Sequence, residues 1–255
     1  MDNFQLKNLS DCDKDRAINR ILPIERLMEM IQKKQFIMPQ INHWEDPYEN
    51  FFLRSEVYQD GEKVDLYGES ELLFGQCWSL AEENDAMWRI YSPDRKSVLI
   101  KTTISKLFNE IQRSGLIENE SNIGLLMDKH IGKVEYITQN EFNEWIDTQD
   151  YSGNLTDNII DSLYLKREYF RHEEEIRIIY LADNEDSKFT DSNKNLIKLS
   201  IEPLNFIEEI KFDPRVDKSF YETYSNLLSE KLKFPQNRIL RSTIYDFSPL
   251  VIRFK

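Results

Sequence analysis

The sequence predicts a single α+β domain with a mixed or split β-sheet core and flanking helices. Segments with strand-type alternation outnumber those with helical periodicity, and the connections between them vary in length. The 255 residues, 40% hydrophobic and 12% aromatic, suffice for one core. No repeat, heptad array or low-complexity tract divides the chain. The expected organisation is a polar N-terminal arm over 1–16 and one domain over 17–255, with a helical insertion around 104–165.

In chain order, "AINRILP" alternates as a short strand or extended lead-in. "PIERLMEMIQKKQF" places Ile24, Leu27, Met28 and Ile31 at helical spacing, with Pro23 suited to a helix start. "MPQINHWEDPYENFF" reads as a loop dense in Pro, Asn, Asp and aromatics. "LLFGQCWSL" is a buried strand, "NDAMWRIYS" one or two helical turns, and "SVLIKTT" a strand before a helix over about 104–114. Residues 115–132 are weakly patterned, and "KVEYITQ" alternates. A polar helical stretch follows, broken near Ser152-Gly153-Asn154. "EIRIIYLA" is a strong strand and "DNEDSKFTDSNKN" a charged hairpin-type loop. "LIKLSI" and "IEEIKF" are further strands. A helix then carries Phe220, Tyr224, Leu227, Leu228 and Leu232 on one stripe, and "RILRSTI" closes with a strand.

Composition removes several function classes. The net charge of −13, from 33 basic and 46 acidic residues, opposes nonspecific coating of nucleic acid or an anionic membrane. Cys12 and Cys77 make no disulfide framework, and the three histidines have no zinc-type spacing with them. A reducing cytoplasm is the simplest compartment. The polar N-terminus lacks the apolar core of a signal peptide, and no window reaches the ~18 apolar residues of a membrane span. In "HEEEI", Ile176 stands where a zincin helix needs its second histidine. No phosphate-cradling G-x-x-x-x-G-K-[ST], dinucleotide G-x-G-x-x-G or G-x-S-x-G elbow occurs.

The candidate site begins at "FRHEEEIRIIYL", residues 170–181. If the glutamates belong to the strand, Glu173 and Glu175 share a face roughly 6.5–7 Å apart, Glu174 points away and Arg177 continues the charged face. A solvent-facing edge with alternating charge explains the same pattern equally well. Three segments supply context. "WEDPYE" sets Trp44, Asp46, Tyr48 and Glu49 around a proline turn, where Asp46 can also simply cap backbone N–H groups. "GQCWS" ends a strand on Ser79, a residue able to orient a neighbour or close a turn. "MWRIY" puts Met87 or Trp88 on a helix face with Tyr91, a pattern more common in cores than in ligand cages.

The order DPYE (46–49), CWS (77–79), MWRIY (87–91), VLI (98–100), then Lys166, Phe170, Glu173, Glu175 and Arg177, closed by IEEIKF, a helix and a strand, resembles a bacterial family of unknown function. That family carries DP(F/Y)E, C(F/W)S, MWxxY and K…W..ExExR, and the resemblance covers about 18–245. Phe170 replaces its tryptophan and Trp78 its phenylalanine. More distantly, Arg20 on an early strand, Ser79 at the end of a middle strand and Glu173-x-Glu175 late in the chain resemble the R-S-E pattern of ADP-ribosyltransferases, although CWSL is not the usual S-T-S.

This second resemblance implies an ADP-ribosyltransferase-like fold and an enzyme that cleaves NAD as substrate, with no metal. It implies that Glu175 stabilises the oxocarbenium-like cation, Glu173 activates the acceptor and Ser79 orients Glu175. Arg20 would bind pyrophosphate, and Trp88 or Tyr91 would stack on a base, with Asp46, Glu49, Arg177 and Lys166 in the binding region. The acceptor would be a protein or nucleic acid. A toxin or phage-defence role, with an inhibitory protein or nucleic-acid partner, fits that type of enzyme.

Two other readings fit the residues. Asp46, Glu49, Glu173 and Glu175 can supply oxygen ligands to Mg²⁺ or Mn²⁺ in a nuclease or phosphoesterase, with Lys166 or Arg177 clamping a phosphate. Alternatively the same acids form a buried ion-pair network with Arg20, Arg89 or Arg177 in a noncatalytic binding module.

Overall fold

The computed structural model describes residues 3–59, 61–64, 66–114, 116–118, 122–124, 128–149, 155–182 and 196–254. The elements begin with β1 (Asn3–Lys7), β2 (Ala17–Pro23), α1 (Ile24–Lys33), β3 (Gln35–Pro39), α2 (Phe51–Arg54), β4 (Val57–Gln59), β5 (Glu62–Val64) and α3 (Tyr67–Leu72). Next come β6 (Leu73–Ser79), α4 (Asp85–Tyr91), β7 (Ser97–Thr103), α5 (Ile104–Arg113), β8 (Leu116–Glu118), β9 (Asn122–Gly124), β10 (Asp128–Lys133) and β11 (Glu135–Ile137). The rest are α6 (Gln139–Thr148), α7 (Leu155–Ser162), β12 (Leu165–Arg167), β13 (Glu175–Leu181), β14 (Leu196–Ser200), α8 (Pro203–Phe206), β15 (Glu209–Phe212), α9 (Lys218–Asn226) and β16 (Ile239–Arg241).

The fold is mixed α+β, as the sequence predicts. Its main sheet has eight strands in the order β1-β10-β13-β6-β2-β7-β15-β16, parallel at its two outer pairs and antiparallel within. Residues of the expected N-terminal arm thus supply an edge strand, β1. The segment 104–165 contains α5, α6 and α7 together with β8 to β11. The breaks expected at 152–154 and the loop expected at 183–195 lie outside the described residues. Among the described residues no helix is long and apolar enough to cross a membrane.

Helix α1 starts after Pro23, ends on Lys34 in the left-handed conformation (φ 53°), and buries Ile24, Leu27, Met30 and Ile31. These residues join Ile18, Trp78, Ile100, Ile176, Ile178 and Tyr180 in the larger core. A second core, around Ile41, Phe52, Ile160, Leu163, Tyr164 and Ile179, covers the other face of β13. β13 therefore lies between β10 and β6 and is buried on both faces, which removes the solvent-facing edge as an explanation of its charges. β10 is a strand that the weak pattern of 115–132 conceals. Its Lys129 and His130 are buried, and the Lys129 ammonium donates to the Ile111 carbonyl at the end of α5 (2.8 Å).

The feature that creates a site is a split in the main sheet. β2 pairs with β7 from Ala17↔Thr103 to Pro23↔Ser97, and β6 pairs with β13 along its whole length. Between β2 and β6, however, only Asn19↔Ser79 is paired. β6 instead leans on the second sheet, β3-β14-β8-β9, through the Gln40↔Phe74 bridge and the Gln76 side-chain amide, which donates to the Ile37 carbonyl (2.9 Å). The halves diverge beyond Asn19 and Ser79, and a cleft opens there.

Candidate functional site

Glu173 and Glu175 do come together, but not by strand alternation. Glu173 ends a 3₁₀ turn over Glu168–Glu173, Glu174 is left-handed (φ 43°), and the strand starts only at Glu175. The turn is held by Ser79, whose hydroxyl donates to the Glu173 carbonyl (2.5 Å) and accepts from the Ala81 N–H (3.0 Å), while the Leu80 N–H donates to the Glu174 carbonyl (2.8 Å). Ser79 thus positions the backbone between the two acids, not the Glu175 side chain that it was expected to orient.

Alternation along β13 sends Glu175 and Arg177 to the face shared with Ser79 and Cys77, their cross-strand partners. The fully buried Arg177 donates to Glu175 (2.7 Å), Glu49 (2.5 Å) and the Leu163 carbonyl (2.6 Å). Its guanidinium also lies over the Trp44 ring, 4.6 Å from the centroid. Trp44 in turn fills the space above Gly75, where a Cβ would stand 2.6 Å from Trp44 Cζ2. Lys166 completes the network: its ammonium contacts Glu175 (2.6 Å), Glu49 (2.8 Å) and Glu173.

These contacts drive the two acids apart electrostatically. Burial alone would raise the Glu175 carboxyl, but Arg177, the bond with Glu173 and Lys166 outweigh it and hold it well below the usual carboxylate range. Glu173 shifts upward, through burial and its bond with Glu175, against the opposing pull of Lys166. Tyr91, on α4, donates its hydroxyl to Glu173 (2.9 Å), and the Glu175 N–H donates to the Tyr136 hydroxyl (2.8 Å). The environment therefore makes Glu175 the stronger acid and Glu173 the weaker.

Both acids line a cleft of about 240 Å³ in the sheet split, with Arg20, Trp44, Ser79, Met87 and Tyr91 among its walls. A neighbouring cleft of about 350 Å³ shares Arg20, Ile21, Pro39 and Gln76 with it. The Arg20 side chain makes no hydrogen bond or ion pair with any described residue, and burial lowers its pKa to about 10, leaving it charged at neutral pH. Cys77 also lines the first cleft, as a thiol that burial pushes far up and makes a poor nucleophile.

Other expected site residues stand elsewhere. Trp88 is fully buried and donates its indole N–H to Glu83 (2.9 Å), so the stacking role proposed for it does not fit; Tyr91 alone of the pair reaches the cleft. Glu49, Lys166 and Arg177 are buried behind the acids and support them without lining the cleft. Asp46 closes its own turn, accepting from the Tyr48 N–H (3.1 Å) and from Arg167 (2.9 Å). The metal reading loses its ligand set, because Glu49, Glu173 and Glu175 converge on the Lys166 ammonium where a cation would sit. In the network reading, Arg177 takes part, whereas Arg89 pairs with Asp85 at the surface (2.8 Å). Tyr136 and Arg167 were missed, although Tyr136 sits in the alternating "KVEYITQ" and Arg167 follows Lys166 directly.

Residues 87–178, from MWRIY through the E-x-E-x-R segment, match a family model described as a protein of unknown function, DUF2971. The expected resemblance to such a family holds over that stretch. No curated protein matches the chain. Among solved structures it is similar to Thermus sp. 2.9 DarT in complex with NAD⁺, at TM-score 0.41 and 9% identity, over 92% of this chain and 98% of that one. The same protein in complex with ADP-ribosylated ssDNA matches at TM-score 0.37 and 9% identity, over 91% and 97%.

Proposed function

We propose that the cleft binds NAD⁺ and breaks its nicotinamide–ribose bond, passing ADP-ribose to water or to a nucleophile on a protein or nucleic acid. The observation that carries this reading is the convergence of Glu173 and Glu175 on the wall of a cleft that Arg20 also lines, its guanidinium unpaired with any described residue. In the reaction the C1′–N bond breaks and its electron pair leaves on neutral nicotinamide. The anionic Glu175 stabilises the cation that develops on the ribose. The acceptor's lone pair then forms the new bond to C1′ and its proton passes to Glu173, whose upward-shifted pKa makes it a stronger base than an ordinary carboxylate. Arg20, paired with no carboxylate of a described residue, offers its guanidinium to the pyrophosphate between the two clefts.

One observation favours a purely structural network: each Glu175 oxygen already accepts a charge-assisted bond, from Lys166 or from Arg177. A carboxylate oxygen has a second lone pair, so a ribose hydroxyl can still be bound. Glu175→Gln separates the readings, with nicotinamide release from NAD⁺ followed beside urea unfolding. The expected loss of release is about a hundredfold or more. Equal release by the variant refutes the proposal; no release by the wild type together with a destabilised variant supports the network alone. On the enzymatic reading, expression of the active chain in the bacterial cytoplasm harms the cell as a toxin or phage-defence effector does, and Glu175→Gln relieves the harm.

A further inference from the structure

Tyr91 reaches Glu173 from the last turn of α4, a helix of seven residues. So short a helix is not held in place by its own hydrogen bonds, and its surroundings must fix it. The grip comes from β15 and the residues just beyond it. Arg215 reaches back to the end of α4, where its Nη2 donates to the Trp88 and Ser92 carbonyls (2.8 Å each). A cation is favoured at this end of a helix. The guanidinium is itself fixed by the fully buried Asp213, which accepts from its Nε (2.9 Å) and Nη2 (2.6 Å) and from the Arg215 backbone N–H (2.8 Å).

The same strand holds the start of α4. Lys211 of β15 donates to Glu83 (3.0 Å), whose other oxygen accepts the Trp88 indole N–H (2.9 Å). Trp88 is thus held by its indole on one side and its carbonyl on the other. The tryptophan of MWRIY, expected to stack on a base, serves as the anchor of the helix that carries Tyr91.

We propose that Arg215 is a positioning residue for the acid pair, gripping the end of α4 so that the Tyr91 hydroxyl stays on Glu173. Glu173 is faced by Lys166 from β12, Glu175 from β13, Tyr136 from β11 and Tyr91 from α4. Of these, Tyr91 is carried on the helix that Arg215 grips. A hydrogen bond donated to a carboxylate favours its charged form, so a displaced Tyr91 leaves Glu173 with a higher proton affinity. This role holds for whatever substrate the acids serve.

The test is a carboxyl-carbon NMR titration of Glu173 in the full chain, with the resonance assigned through Glu173→Gln. Tyr91→Phe is expected to raise the proton affinity of Glu173 about tenfold. Arg215→Lys leaves Asp213 a cation but removes the planar fork, and is expected to raise that affinity about threefold or more. In the Tyr91→Phe background the same substitution is expected to add less than about 1.5-fold, because the bond it acts through is already gone. Arg215→Met combined with Asp213→Asn leaves no buried charge unpaired and should give the same result even if Arg215→Lys folds poorly. A purely structural Arg215 lowers the melting temperature and leaves the Glu173 titration unchanged; that outcome, or an undiminished effect in the Tyr91→Phe background, overturns the proposal. In nicotinamide release from NAD⁺, the acid limb of the pH profile is expected to move to higher pH in Tyr91→Phe and Arg215→Lys alike. No release by the wild type counts against the NAD⁺ reading, while the titration still decides the role of Arg215.

Discussion

Replacing Lys166 by Met keeps the buried stem and removes the one cation that touches Glu49, Glu173 and Glu175 together. Arg177 continues to hold Glu49 and Glu175, so the acid stripped of its cation is Glu173, left with the Tyr91 hydroxyl. Truncating one partner of a buried pair costs about 3–5 kcal/mol when the remaining charge persists. Glu173 can escape by taking a proton, and its pKa is already raised by burial and by Glu175. Because the folded-state value lies above the unfolded one, stability from this group is fully present below the unfolded pKa and is lost as pH rises through the folded value.

Lys166 opposes that shift, so Lys166→Met moves the folded value higher and extends the window in which stability falls with pH. The variant should lose about 1–2 kcal/mol near pH 5 and about 3–5 kcal/mol near pH 8, the difference growing by at most about 1.4 kcal/mol per pH unit for one proton. Urea unfolding of both proteins at the two pH values measures this. An equal loss at both, or one below about 1 kcal/mol near pH 8, would refute the assignment of Glu173 as the acid whose proton affinity Lys166 lowers.

Glu174 is exposed and left-handed, so Glu174→Gln should change stability by less than about 0.5 kcal/mol, while Glu174→Gly should gain about 0.5–1 kcal/mol. Denaturant midpoints check both, and destabilisation by glycine would show that the turn is not strained. Gly75→Ala places a methyl within 2.6 Å of Trp44 and 3.0 Å of Ile41, and should cost about 1–3 kcal/mol as Trp44 is pushed from Gly75 and Arg177. Thermal unfolding and tryptophan fluorescence report it, and an unchanged melting temperature would mean that the ring has room to move.

Much of the framework was legible because it is local. α1, β2, β6, β7, β13 and β15 announce themselves through apolar residues at spacings of 3.6 or 2, which follow from backbone geometry. β10 did not, because Asp128-Lys129-His130 reads as loop until distant packing buries Lys129 and His130 and gives the Lys129 ammonium its carbonyls. β3 was divided between the end of the segment read as a helix and the start of the Pro- and Asn-rich loop.

The sequence by itself determined which residue types stand near one another along the chain: two glutamates one residue apart, an arginine two further on, and the short motifs before them. Alternation correctly put Glu175 and Arg177 on one face and failed at Glu173, since a left-handed residue intervenes. The tertiary structure alone decided that Lys166 and Arg177 are spent on buried acids while Arg20 pairs with none of the described residues, and that the acids differ in proton affinity. It did so through the split at Asn19↔Ser79, a pairing between strands sixty residues apart. Charge interactions and desolvation depend on distance and burial, which local periodicity does not encode.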